Sequence, residues 1–156
     1  MARTQSTFHA KLSFTDKYDN FYLLKQEPLQ GNCRIYLKLK GDIHEKMIAE
    51  IDVKHRCMIV KRIKEKHFYR ALCGYGFNWT LVNERLPMQI DNILLIEHEN
   101  GTTDHYLIPL QDIRSRGEKK HFGKSGYELQ WFVHMNVLIE YRIKNEKFTK
   151  GILESL

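Results

Sequence analysis

The chain is poor in proline, with 3 in 156 residues, and its 9 glycines show no repeat. This excludes collagen-like and Pro/Gly-rich disordered architectures. Its three cysteines, Cys33, Cys57 and Cys73, form neither a CxxC pair nor an even set. That excludes a disulfide framework or a zinc ribbon, and fits a reducing compartment. Apolar runs stop at about four residues, against the roughly 20 that a membrane-crossing helix needs. Met1-Ala2-Arg3-Thr4 is followed by no apolar stretch of the kind that marks a secretory signal. These absences point to a cytoplasmic protein with no membrane partner.

What is present is ordinary globular material, 42% hydrophobic and 28% charged. A chain of this length buries roughly two-thirds of its unfolded surface in one core. The expectation is a single domain over 1–156, with 1–8 and 145–156 as peripheral tails.

Charge is unevenly placed. Of 25 Lys+Arg and 19 Asp+Glu, the window 54–70 holds seven bases (Lys54, Arg56, Lys61, Arg62, Lys64, Lys66, Arg70) and one acid, Glu65. The other 139 residues carry 18 of each, so the whole net charge of +6 arises in this window. A cationic patch on a balanced chain suits a polyanion, because each phosphate contact releases condensed counterions. It also suits an acidic protein partner, or simply a solvated face.

Hydrophobic alternation gives the fold class. Period-2 patterns at 33–40, 47–54 and 57–63 read as a three-stranded meander. Asp42 and Glu45 form a capping-box pattern, and Ile43, Met47 and Ile51 recur four apart, which leaves a helix over 42–51 as the alternative. Short helices are expected near 65–73, 78–86 and 110–116, with Gly74 as a helix stop and a lysine-rich loop after Gly117. The runs 93–99 and 102–108 flank Asn100-Gly101, whose residue types supply the positive φ angles of a hairpin turn. Alternation over 127–143 predicts one long, bent strand. The class is therefore α+β, a mostly antiparallel, bent β-sheet with two or three short helices. Its open edges leave room for a homodimer.

Aromatics follow the basic window directly. Tyr75 and Trp79 are placed to stack on bases while Arg56, Lys61, Arg62, Lys64, Lys66 and Arg70 hold phosphates. Gly74-Tyr75-Gly76-Phe77 resembles part of the RNP1 signature of RNA-recognition motifs, and Ile35-Tyr36-Leu37 faintly resembles its RNP2 strand. Cys73, Asn78 and Thr80 depart from that pattern, and rings packed in the core account for the same residues.

Asp42, Asp52 and Lys54 read as a D…DxK site. Carboxylates there would hold Mg²⁺ for phosphodiester cleavage, with a lysine steadying the charge. The spacing resembles that of PD-(D/E)xK nucleases, although no proline precedes Asp42. His98 and His105 fall diagonally on one hairpin face with no third ligand, so no metal site is assigned to them. Gly123-Lys124-Ser125 lacks the Walker A glycine at 118, where Glu118 stands; Lys119, Lys120 and Lys124 offer at most a secondary phosphate contact.

The leading expectation is a nucleic-acid-binding protein for DNA or RNA that needs no cofactor. A Mg²⁺-dependent nuclease at Asp42, Asp52 and Lys54, and a module docking on an acidic protein, are the alternatives.

Overall fold

The computed structural model describes residues 21–29, 31–39, 47–63, 74–78, 82, 89–99, 101–122, 128–144 and 148–156. Strands β1 (Phe21–Leu29), β2 (Asn32–Leu39), β3 (Met47–Asp52) and β4 (Cys57–Ile63) run antiparallel to their chain neighbours. Next, β5 (Gly74–Asn78) leaves for a second sheet. The chain returns as β6 (Asn92–Glu99), parallel to β4, and folds back as β7 (Thr102–Pro109). Helix α1 (Leu110–Arg116) leads into β8 (Glu118–Phe122) and β9 (Glu128–His134). Helix α2 (Met135–Leu138), a 3₁₀ turn (Ile139–Tyr141), β10 (Arg142–Ile143) and helix α3 (Thr149–Glu154) complete the chain. The large sheet has the order β1-β2-β3-β4-β6-β7-β10 and the small one β5-β9-β8. The fold is α+β and rich in antiparallel pairs, with β4 and β6 the parallel pair among the described strands.

Alternation assigns the two faces of the large sheet. Cys33, Ile35, Ile51, Met58, Val60, Ile93, Leu95, Tyr106 and Ile108 face the small sheet and pack with its Phe77 and Val133, and with Ile113 of α1 and Leu138 of α2. Burying each large side chain of this kind contributes about 1.5–3 kcal/mol. Cys57, Ile59, Leu94 and Ile96 occupy the opposite face, where Ile152 and Leu153 of α3 cover them. The C-terminal segment, expected as a tail, is therefore a roof over half of one sheet face. It leaves the β2–β3 half of that face to polar side chains, and this positions the site.

The meander and the hairpin match expectation, with Gly101 at φ 80° in the turn between β6 and β7. In the 42–51 segment, residues from Met47 on form β3; Asp42 to Lys46 lie outside the described residues. Four expectations need correction or restriction. The long strand over 127–143 breaks at Met135, because α2 and the 3₁₀ turn carry Leu138 into the core. The lysine-rich loop contains an edge strand instead, with Lys119 and Lys120 paired to Trp131 and Gln130; Lys124 lies outside the described residues. Gly74 opens β5, where an added Cβ would stand 2.1 Å from the Val133 carbonyl oxygen, and the helix it was expected to stop lies outside the described residues. The helix expected at 65–73 falls on residues of which none is described, and of 78–86 only Asn78, which closes β5, and Val82, which is helical, are described.

Candidate functional site

The polar half-face is built by register. Arg34 on β2 lies opposite Asp52 on β3, and Tyr36 opposite Glu50. The alternation that sends Cys33, Ile35 and Ile51 into the core sends Asn32, Arg34, Glu50 and Asp52 to the other side. Asp52 is 1% exposed and Glu50 5% exposed, so both carboxylates need partners. Arg34 forks between them, 3.1 Å from Glu50 Oε2 and 3.4 Å from Asp52 Oδ2. Lys61 Nζ lies 3.1 Å from Glu50 Oε1, and the Tyr36 hydroxyl donates to Glu27 at 3.2 Å.

The turn from β3 to β4 is tied down by two side chains. Asn32 Oδ1 accepts from the backbone N–H of Cys33 at 2.7 Å and of Lys54 at 2.8 Å, while its Nδ2 donates to Asp52 Oδ1 at 2.8 Å. Asp52 Oδ1 also accepts from the His55 backbone N–H at 3.1 Å and lies 2.6 Å from His55 Nδ1. Burial alone pushes the Asp52 carboxyl up, but the hydrogen bonds from Asn32 and from the His55 backbone and ring outweigh it and hold the group below the usual carboxylate range. An ionised carboxylate can only accept, so His55 Nδ1 carries the proton of that contact. In the neutral ring the free lone pair is then on Nε2, directed away from Asp52.

Arg56 has φ 50°, the left-handed region that disfavours side chains. It is held there because its carbonyl accepts from the N–H groups of Asp91 at 2.8 Å and Asn92 at 3.3 Å, closing the start of β6. Arg56→Gly should raise stability by about 0.5–1 kcal/mol, the relieved strain exceeding the added freedom of the unfolded chain. A urea midpoint that moves down would contradict this.

Beside this turn lies a cavity of about 440 Å³, lined by Asn32, Arg34, Asp52, Lys54, His55, Lys150, Leu153 and Glu154. A neighbouring hollow of about 490 Å³ shares Lys54, His55 and Glu154 and adds Arg56 and Asp91. Lys54 has no ion-pair partner among the described residues. Lys150 is only 3.9 Å from Glu154 Oε1, a loose exposed pair.

The residues singled out from sequence are distributed as follows. Asp52 and Lys54 meet at the cavity, but Lys54 sits in the turn beyond the end of β3 rather than on the strand face with Glu50. Arg56 is exposed, 3.6 Å from Asp91, and Lys61 is 53% exposed but paired with Glu50. Arg62 is not an open phosphate contact: its Nε donates to buried Glu97 at 2.6 Å, and its NH1 to the Gly74 carbonyl at 3.0 Å. Tyr75 does not offer an open face either, since Arg62 covers its ring at 4.6 Å and Phe77 packs edge-on at 4.6 Å. Asp42, Lys64, Lys66, Arg70 and Trp79 lie outside the described residues. Asn32, Arg34, His55 and Lys150 were missed. The only signal for the first two was that polar residues alternate against core residues on β2.

Asp52 receives four protein donors, so a Mg²⁺ ion binding there would displace Asn32, Arg34 or His55. Among the described residues no group of three or more His, Cys, Asp and Glu is placed to hold a metal ion, and no helix is long and apolar enough to cross a membrane. Cys33 and Cys57 are free and buried, and burial pushes the Cys57 thiol up to about 12. The chain matches no protein-family model, and no curated protein or solved structure matches it.

Proposed function

We propose that the protein binds the phosphodiester backbone of DNA or RNA at the turn between β3 and β4. The observation that carries this reading is that Lys54, without an acidic partner among the described residues, stands on a cavity also lined by Arg34 and Lys150. Three cations converge from β2, the turn and α3, so the site draws on elements far apart in the chain. Exposed lysine groups form phosphate contacts at little desolvation cost, so Lys54 and Lys150 are the contacts, while Arg34, tied to Glu50 and Asp52, adds positive charge from the wall. The contact surface is narrower than the whole basic window, because Arg62 is used inside the protein and Lys61 by Glu50.

About two phosphate contacts imply that affinity falls on the order of tenfold between about 50 and 200 mM salt. Fluorescence anisotropy with labelled single- and double-stranded DNA and RNA measures this, and Lys54→Ala should flatten the salt slope by about one unit. Salt-independent binding, or no binding to any of the four oligonucleotides, would overturn the reading. In the second case the same cations would be left to an acidic protein partner.

A further inference from the structure

We propose that His55 is a general base that cleaves RNA without a metal, with Asp52 as its positioning residue. The proposal rests on the phosphodiester-binding reading above and names the substrate class and chemistry of the same cavity.

The first observation is the dyad. Asp52, fixed by Asn32 and Arg34, holds the Nδ1 side of the His55 ring, which leaves Nε2 as the proton acceptor. His55 lines both hollows at the turn, so its ring borders the space a substrate would fill. The second observation is the make-up of the wall. Among the described residues the cavity lining includes no serine, threonine, cysteine or tyrosine. Both described cysteines are buried, and the Cys57 thiol resists ionisation. A base without a protein nucleophile needs one from elsewhere, and RNA carries its own beside every scissile bond, the ribose 2′-hydroxyl. The third observation is the charge: Arg34, Lys54 and Lys150 line the cavity against Asp52 and Glu154, and Lys54, which has no ion-pair partner among the described residues, is the cation open to a phosphorane's negative charge.

The step balances as an internal transesterification. His55 Nε2 takes the 2′-hydroxyl proton, and the 2′-oxygen forms a bond to phosphorus. The bond from phosphorus to the 5′-oxygen breaks, and that oxygen takes a proton from the Lys54 ammonium. Lys54 recovers a proton from solvent and His55 returns its own to solvent. The products are a 2′,3′-cyclic phosphate and a 5′-hydroxyl end.

The test uses the full chain with EDTA and three labelled oligonucleotides of one sequence: RNA, 2′-O-methyl RNA and DNA. Products are separated on a denaturing gel and their ends read by mass spectrometry. RNA alone should be cut, leaving cyclic phosphate ends. His55→Asn keeps a side-chain N–H for Asp52 while removing Nε2, and should slow cleavage about 10²–10⁴-fold with RNA still bound. The same variant, purified identically, exposes any contaminating ribonuclease. Asp52→Asn should lower kcat, expressed per RNA-binding molecule, with little change in KM; loss of folded protein would instead lower the fraction of molecules that bind RNA and leave the rate of each one unchanged. RNA bound but left intact overturns the cleavage proposal and leaves the binding reading standing; binding of none of the three overturns both. Cleavage of 2′-O-methyl RNA or DNA, or cleavage unchanged in His55→Asn, also overturns it. Should His55→Asn fail to fold, the 2′-O-methyl comparison still tests the 2′-hydroxyl step, and His55→Gln, purified identically, takes its place as the test of the His55 base, with unchanged cleavage again overturning the proposal.

Discussion

Arg62→Met should lower stability by about 3–5 kcal/mol, the range for removing one partner of a buried ion pair. The Arg62 side chain is 9% exposed and that of Glu97 4% exposed, so the carboxylate left behind would sit in the sheet face without a counter-charge. The pair joins parallel strands β4 and β6, where Arg62 stands opposite Glu97. Arg62 also binds the Gly74 carbonyl and covers Tyr75, so one guanidinium clips the small sheet onto the large one. Desolvation of two charges offsets much of their attraction, so Arg62→Met combined with Glu97→Met should recover most of the loss. Urea unfolding followed by tryptophan fluorescence gives both numbers. A single-variant loss under about 1 kcal/mol would mean that the carboxylate reaches water.

Arg62 also shows where one-dimensional reading runs out. Its place in a run of cations marked it as surface, yet its position on β4 follows Met58 and Val60, both buried on the face toward the small sheet. Period-2 alternation, applied two residues further, puts Arg62 on that inner face. What the alternation lacked was Glu97, 35 residues away and visible only through the parallel register of β4 and β6. The meander and the hairpin were legible because each has one buried face, and the second also has Asn100-Gly101 at its turn. The segment 127–143 misled because Met135, Val137 and Leu138 fit a short helix as well as a strand, with no glycine or proline to mark the break. β8 was hidden for another reason. At the edge of the small sheet its charged residues Glu118, Lys119 and Lys120 are tolerated, and such charge protects an open edge.

The site was half legible on the same grounds. Asp52 and Lys54 stood out by charge spacing, and Asp52 to His55 is a turn in which an aspartate side chain accepts from a following backbone N–H. Asn32 and Arg34 reach Asp52 only through the β2–β3 register, and Lys150 only because α3 packs over the sheet. Residues set aside as a tail thus complete the cavity.

Asp52→Ala should be the other large loss, about 3–5 kcal/mol at neutral pH, because it strips the acceptor from Asn32, Arg34, the His55 ring and the His55 N–H at once. The effect should depend on pH in a defined direction. The folded-state carboxyl of Asp52 lies below its unfolded value of 3.8, so the stability it contributes is fully present above that value. That contribution is lost as pH falls through the folded value, when the native carboxylate takes up a proton. The gap between wild type and Asp52→Ala should accordingly be widest near pH ~7 and narrow toward pH ~3. Urea midpoints at the two pH values measure it. A gap that does not change would assign the loss to hydrogen bonds that the protonated carboxyl keeps rather than to the charge of the carboxylate. His55 would then lack the fixed anion that sets its tautomer, and the acid–base reading of the cavity would lose its physical basis, while the proposed phosphate-binding role of Lys54 and Lys150 would stand.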